Sequence, residues 1–303
     1  MDVCTSIDQL LERRRNASGA IALIPTMGAL HRGHLSLIDL ARAQVGPSGT
    51  VLVSLFVNPT QFAPGEDLER YPRPFEADAS ACRERGVDIL FAPAAADMYA
   101  PDHSTTVEES TLSTGLCGAS RPGHFSGVCT VVLKLLLLTR PDLAVFGNKD
   151  YQQLAVIRRM MRDLNVPAQV VAAPTVREPD GLALSSRNRY LSAAERSQAP
   201  ALQRALQQAR SAFQVGETNA ATLLEIATRT IEQEAPEARI DYLQLVDRHR
   251  LQTMPQADHE SVLLAAIWLG QTRLIDNLEL VDEEWSSPKQ PPPPGKERPA
   301  TGS

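Results

Sequence analysis

Residues 20–37 read AIALIPTMGALHRGHLSL. Ala20 to Ile24 are all apolar and of strand length, and Leu35 to Val45 carry the spacing of a helix. A strand that feeds a helix through a turn marked by Pro25 and Gly28 is the opening unit of a parallel α/β sheet, because parallel strands need crossover connections. Two histidines three residues apart, His31 and His34, fall at the opening of that helix and share a face. Gly33 between them lets a ligand approach the backbone, and the N–H groups of a helix start attract an anion such as an ATP phosphate. On its own, HxGH fits two surface histidines on a helix cap as well as it fits a phosphate site.

The same texture extends outward from this stretch. Short apolar runs recur at Thr50 to Val57, Val87 to Phe91, Leu143 to Phe146 and Gln169 to Ala172, with helix-like segments between them at Phe75 to Arg85, Val128 to Thr139 and Gln152 to Leu164. Alternation of this kind predicts a parallel sheet covered on both faces, with ligands beyond the carboxyl ends of the strands. After about Asn188 the chain turns to helices rich in Ala, Gln, Glu and Arg, Ala193 to Phe213 and Ala220 to Glu234. Short strands follow at Ile240 to Val246 and Val262 to Leu269, which predicts a smaller α+β domain. From Ser286 onward the residues are Pro-, Gly- and Ser-rich without an apolar core set, the composition of a tail.

The composition excludes several classes. Thirty-six acids against 30 bases in 303 residues give a net charge of -6, so no broad basic face is offered to nucleic acid and any phosphate site is local. The N-terminal MDVCTSIDQLLERRR lacks an apolar h-region, and Val128 to Leu138, broken by Lys134, is too short to span a bilayer; a cytoplasmic protein without a membrane partner is expected. Cys4, Cys82, Cys117 and Cys129 show no CxxC spacing, so they are read as reduced packing residues, with no metal ligands among them.

Six further stretches stand in order along the chain: SLFVNPTQF (54–62), RYPR (70–73), GASRPGHFSGV (118–128), FGNKDYQQL (146–154), DGLALSSRNRYL (180–191) and AAIWLGQTRLIDN (265–277). With PTMGALHRGH they resemble the signatures of the pantothenate synthetase family, a branch of the nucleotidyltransferases marked by HIGH-type motifs. The resemblance covers the chain to about Asn277. It implies a Rossmann-like, nucleotide-binding catalytic domain over residues 1–178 and a smaller C-terminal α+β lid domain over 179–284; it leaves outside it residues 285–303, which composition reads as a disordered Pro-rich tail. It also implies a homodimer that ligates pantoate to β-alanine through a pantoyl adenylate, with ATP as substrate and Mg²⁺ on its phosphates.

The site residues follow from the matching positions. The resemblance gives ATP the residues Met27, Gly28, His31, Gly33, His34, Gly147, Lys149, Asp150, Val176, Leu184, Ser185, Ser186 and Arg187. Among these, His34, His31, Lys149 and Arg187 are the expected catalytic set. Gln61, Gln153 and Asn58 are implied for pantoate and β-alanine. The side-chain chemistry agrees in kind: Gln61 offers a donor and an acceptor, Lys149 is one of four lysines against 26 arginines and grips phosphate as a point charge, and SSR offers many donors. Asn148 stands where the family commonly has an acidic residue or glutamine, and its backbone is expected to matter more than its side chain. GASRPGHFSGV reads as a flexible loop folding over the site, with Arg121 reaching toward phosphate.

Two rivals are set apart by the motifs. Another HIGH-type nucleotidyltransferase would lack the VNPTQF, SRPGHF and KDYQQL set, and a nucleotide-binding protein without activity would not need every position filled. Because the tail has little to bury, deletion of Ser286 to Ser303 is expected to leave turnover unchanged in a steady-state assay. A large loss in the truncated chain would assign the tail a role.

Overall fold

The computed structural model describes residues 1–281; the segment from Ser286 onward lies outside them. In chain order the elements begin with β1 (Asp2–Cys4), α1 (Ile7–Arg15), β2 (Ile21–Thr26), α2 (Arg32–Val45), β3 (Thr50–Leu55), α3 (Phe75–Glu84) and β4 (Ile89–Phe91). Two helical turns, α4 (Ala95–Met98) and α5 (Cys117–Ser120), lead to α6 (His124–Thr139), β5 (Leu143–Gly147), α7 (Tyr151–Asp163) and β6 (Gln169–Ala173). The remainder is α8 (Ala193–Gln198), α9 (Ala201–Gln214), α10 (Ala220–Glu234), β7 (Arg239–Asp247), β8 (Ser261–Leu269) and β9 (Thr272–Glu279).

The six strands β1 to β6 form one parallel sheet in the order β1-β4-β3-β2-β5-β6. The chain moves outward from β2 to β3 and β4, then crosses back to lay β5 on the other side of β2. The strand order therefore reverses between β2 and β5, the place where open α/β sheets bind ligands. β2 and β5 pair only at Ala22 with Leu143 and Leu23 with Ala144. Beyond those residues β2 stays with β3 to Thr26, and β5 stays with β6 to Gly147. The two carboxyl ends thus part, and the loops after them face one another across a gap.

Apolar residues on both faces of the sheet explain the uninterrupted runs in the sequence. Leu23, Leu52, Phe91, Ala144 and Phe146 pack with α6 and α7 on one side, while Ile24, Val51, Val53, Leu90 and Val145 pack with α2 and α3 on the other. The four cysteines are buried and unpaired, as packing residues should be. In the second part, α9 and α10 cover one face of the antiparallel sheet β7-β8-β9. Val246, Val262 and Leu264 on that sheet pack against Leu116 and Tyr151, which joins the two parts.

Several elements differ from the sequence reading. β1 is three residues long and α1 buries only Leu10, so neither carries a legible apolar pattern. β9 carries Arg273, Asp276 and Glu279 among its apolar residues, which leaves no continuous apolar run, and it is absent from the sequence expectation. The helix expected over Ala193 to Phe213 is two helices, because Pro200 has no N–H to continue the first and serves as the N-cap of the second.

The largest correction concerns residues 118–128, read as a flexible loop. Only Arg121, Pro122 and Gly123 lie between α5 and α6, and His124 to Val128 form the buried first turns of α6. Gly118 and Gly127 serve close approach: a Cβ on Gly127 would stand 2.5 Å from the Thr60 carbonyl oxygen and 2.7 Å from Gln61 Cα. Gly127→Ala is expected to cost about 1–3 kcal/mol by overpacking, visible as a lower urea midpoint. An unchanged midpoint would show that the loop yields freely.

Candidate active site

Two adjoining cavities of about 240 and 650 Å³ open at the parted ends of β2 and β5. The smaller is walled by Met27, His31, Gly33, His34, Gln61, Gly147, Val176, Leu184 and Ser186, with apolar Val128, Val131 and Phe146 at its side. The larger reaches toward the antiparallel sheet, and both share Arg121, His124, Lys149, Asp150, Gln153, Ser185 and Arg187. The fold thus brings all but two of the predicted site residues to one place. Gly28 and Asn58 do not line either cavity.

The histidine pair is built into the helix start. His31 is the N-cap of α2, its Nδ1 accepting the Gly33 N–H at 3.1 Å, while His34 Nδ1 accepts the His31 N–H at 3.3 Å. Both Nδ1 atoms are therefore acceptors, so each neutral ring carries its proton on Nε2 and presents it as a donor. Burial, and then the Lys149 charge, lowers the pKa of His31 to about 4; burial, and then His31, lowers that of His34 to about 3. The N–H groups of His31 and Gly33 are consumed at this helix start and are not free to meet an anion. Gly33 is required by its neighbour as well, because a Cβ there would stand 2.9 Å from His31 Cε1.

Gln61 ends a 3₁₀ turn, Pro59–Gln61, and is nearly buried. Its Oε1 accepts from Asn58 Nδ2 at 3.1 Å and its Nε2 donates to Met27 Sδ at 3.2 Å. Asn58 stands behind it, also donating to the Gly127 carbonyl and accepting from Tyr99 Oη. His124 is central to this wall. Its Nε2 lies 3.0 Å from Arg121 Nη1, which can only donate, so Nδ1–H donates to the Gln61 carbonyl at 2.8 Å. Burial, and then Arg121, lowers its pKa to about 4.

The cations are held by partners that single-residue reading missed. Arg187 makes a two-pronged pair with Asp67 at 3.0 and 2.8 Å, and Arg121 does the same with Glu66 at 2.7 and 2.8 Å. Ser185 caps the 3₁₀ turn Ser186–Tyr190, and Ser186 meets Tyr71 of the RYPR stretch. Lys149 follows β5, its Nζ 3.8 Å from Asp150. β9 steadies the loops that carry Lys149 and Arg177: Asn277 Nδ2 donates to the carbonyls of Asn148 and Lys149 at 2.9 Å each, and Asp276 pairs with Arg177 at 2.6 and 2.9 Å. Asn148 uses its carbonyl here, while its side-chain oxygen is buried without a partner. Asp276 and Asn277 lie in the quoted LIDN stretch, but their partners 99 to 129 residues away are invisible in sequence.

A neutral-imidazole pair, an ammonium and two guanidiniums around an amide-walled pocket suit a reaction that expels a phosphate anion from beside a small hydroxy acid. The model of the pantoate-beta-alanine ligase family matches residues 2–279. The chain belongs to the pantoate–β-alanine ligase family. Among its relatives in this family, the pantothenate synthetase of Syntrophotalea carbinolica is 52% identical over 283 residues, 93% of this chain and 98% of the relative. The pantothenate synthetase of Thermotoga neapolitana is 48% identical over 266 residues, 88% and 94% of the two chains. A crystal structure of pantothenate synthetase from Thermus thermophilus is similar at a TM-score of 0.87 and 45% identity, covering 92% of this chain and 99% of that one. The pantoate–β-alanine ligase of Francisella tularensis, solved with β,γ-ATP and β-alanine, has a TM-score of 0.76 at 34% identity over 92% of this chain and 98% of its own. The ligase fold of this family therefore spans all the described elements.

The three depressed histidines have a consequence for stability. A folded pKa near 3 to 4 lies below the ordinary 6.5, so protons bind the unfolded chain first on acidification. The stability in question is complete above pH 6.5 and is lost as the pH falls toward 4. Melting temperatures are expected to drop across that window, with a shallower slope in His124→Gln than in the parent. Equal slopes would show that His124 takes no part in the acid sensitivity.

Proposed function

We propose that these two cavities carry out the two half-reactions of an ATP-dependent ligase that makes pantothenate from pantoate and β-alanine. The observation that carries this reading is the meeting of the His31–His34 pair, Lys149 and Arg187 with the Gln61–Gln153 wall at the parted ends of β2 and β5. A carboxylate of pantoate, oriented through its hydroxyls by Gln61 and Gln153, attacks the α-phosphorus of ATP. One P–O bond forms, and the bond to the β-phosphate breaks as pyrophosphate leaves. Negative charge grows on the departing oxygens, toward which the Nε2–H groups of His31 and His34, Lys149 and Arg187 act as donors already in position. The β-alanine amine then attacks the acyl carbon, and AMP leaves with one former carboxylate oxygen.

The remaining assignments belong to the same reading. Met27, Gly28, Gly33, Gly147, Asp150, Val176, Leu184, Ser185 and Ser186 serve ATP, and Asn58 serves the pantoate side through Gln61. Among the described residues no group of three or more His, Cys, Asp or Glu is gathered for a metal. Mg²⁺ would come with the nucleotide, where Asp150, the carboxylate beside Lys149, would hold it, an oxygen ligand of the kind this ion takes. It would supply charge neutralisation on the phosphates. Before ATP binds, Asp67 occupies Arg187, so the phosphates compete with a carboxylate for that guanidinium. We assign the catalytic domain to residues 1–178 and the lid, which brings Leu184 to Arg187 to the site, to 179–284, in a cytoplasmic homodimer; the family resemblance supports these, and among the described residues no helix is long and apolar enough to cross a membrane.

Pantoate carrying heavy oxygen in its carboxylate is expected to deliver one label to AMP, read by mass spectrometry. ADP as product, or unlabelled AMP, would overturn the adenylate path. His34→Ala and Lys149→Ala are each expected to slow pantoate-dependent ATP–pyrophosphate exchange by about a hundredfold, with little change in melting temperature. A large fall in melting temperature instead would make these residues structural.

A further inference from the structure

One buried carboxylate is not used by the chemistry above. Asp78, in the first turns of α3, is 4% exposed, and no arginine or lysine pairs with it among the described residues. Its partners are backbone amides: Oδ2 accepts the Ala29 N–H at 2.7 Å, and Oδ1 accepts the Leu30 N–H at 2.8 Å. Two successive amides converge on one anion because Gly28 and Ala29 are both left-handed, at φ 81° and 52°. Successive N–H groups in such a turn form a concavity that takes an anion. Glycine adopts this backbone readily, whereas alanine does so rarely, so the turn needs something to hold it. On its other side the Gly28 N–H is held by Thr26 Oγ1, which itself donates to the Ser54 carbonyl.

We infer that Asp78 is a positioning residue for the ligase reaction: by holding the left-handed turn at Gly28–Ala29 it sets the two imidazoles that face the phosphates. The linkage runs through the backbone. The Leu30 amide is fixed on Asp78 Oδ1, the next amide, that of His31, is the donor to His34 Nδ1, and His31 is the residue that caps α2. A turn that relaxes carries the His31 amide away from the His34 ring, and the ring loses the contact that keeps its proton on Nε2. A carboxylate is the group required, since both oxygens must accept. An asparagine would turn an NH₂ group toward one of the two amides. Gly28 is constrained by the same contact, because a Cβ there would stand 3.0 Å from Asp78 Oδ2.

This role rests on the placement of His31 and His34 at the phosphates, and the test separates the two. In the full chain, Asp78→Asn is expected to lower kcat for ATP–pyrophosphate exchange at least tenfold while the KM for pantoate stays within about twofold. Ring ¹⁵N signals of His31 and His34 should show Nε2–H tautomers in the parent and mixed tautomers in the variant. The decisive variant is Ala29→Gly with Asp78→Asn: glycine removes the reluctance of residue 29 to be left-handed, so much of the lost kcat should return, and the double variant remains informative if the single one fails to fold. Unchanged ring signals and kcat in Asp78→Asn, or a loss that Ala29→Gly does not relieve, would overturn the role of Asp78. Ring signals that change while turnover holds would overturn the histidine placement, and this role with it.

Discussion

The short pairing of β2 with β5 is the constraint on which the site depends. Only two residue pairs join these strands before each turns its allegiance to its outer neighbour. Had the ladder run to the strand ends, the PTMGALH and GNKD loops would be pressed together and no gap would lie between them. Because it stops early, the sheet stays continuous below while its top opens into a cleft. Every group assigned to chemistry enters that cleft from a loop or a helix start, and the rigid strands beneath fix its position.

A second theme is that the polar groups of the cleft restrain one another before any substrate arrives. Both histidines spend their Nδ1 atoms on backbone amides, which leaves Nε2–H as the remaining donor, and burial keeps the rings neutral. His124 is fixed in the opposite sense, accepting from Arg121 at Nε2 and donating from Nδ1 to the Gln61 carbonyl. Arg121 and Arg187 rest on the adjacent acids Glu66 and Asp67. Such prior organisation reduces the rearrangement needed when charge develops, and it holds cations together that would otherwise repel. The antiparallel sheet contributes through Asn277 and Asp276, which tie β9 to the loops carrying Lys149 and Arg177.

Much of this was legible in the chain itself. The apolar runs that became β2, β3, β5 and β6 are uninterrupted because both faces of the sheet are covered, and helices α2, α6 and α7 follow from their spacing. The motif residues His31, His34, Gln61, Lys149, Gln153 and Arg187 could be named before any coordinates, because their types suit phosphate and hydroxy-acid chemistry and their order matches a family. The elements that escaped, β1, α1 and β9, are short or interrupted by charged residues, so local hydrophobicity does not mark them.

By itself, then, the sequence determined the α/β alternation, the ligase family and the groups able to meet ATP and pantoate, because these depend on residue type and on spacing within one element. Tertiary structure alone decided which nitrogen of each histidine is spent on the backbone, that Asp67 and Glu66 hold the arginines, and that glycines 123 and 127 serve a helix start and a close contact rather than a loose loop. It also decided that Asp78 fills the turn before His31. The physical reason is the same in each case: a hydrogen bond or a van der Waals contact is set by distance and direction between groups tens of residues apart, and neither quantity is carried by the residues one at a time.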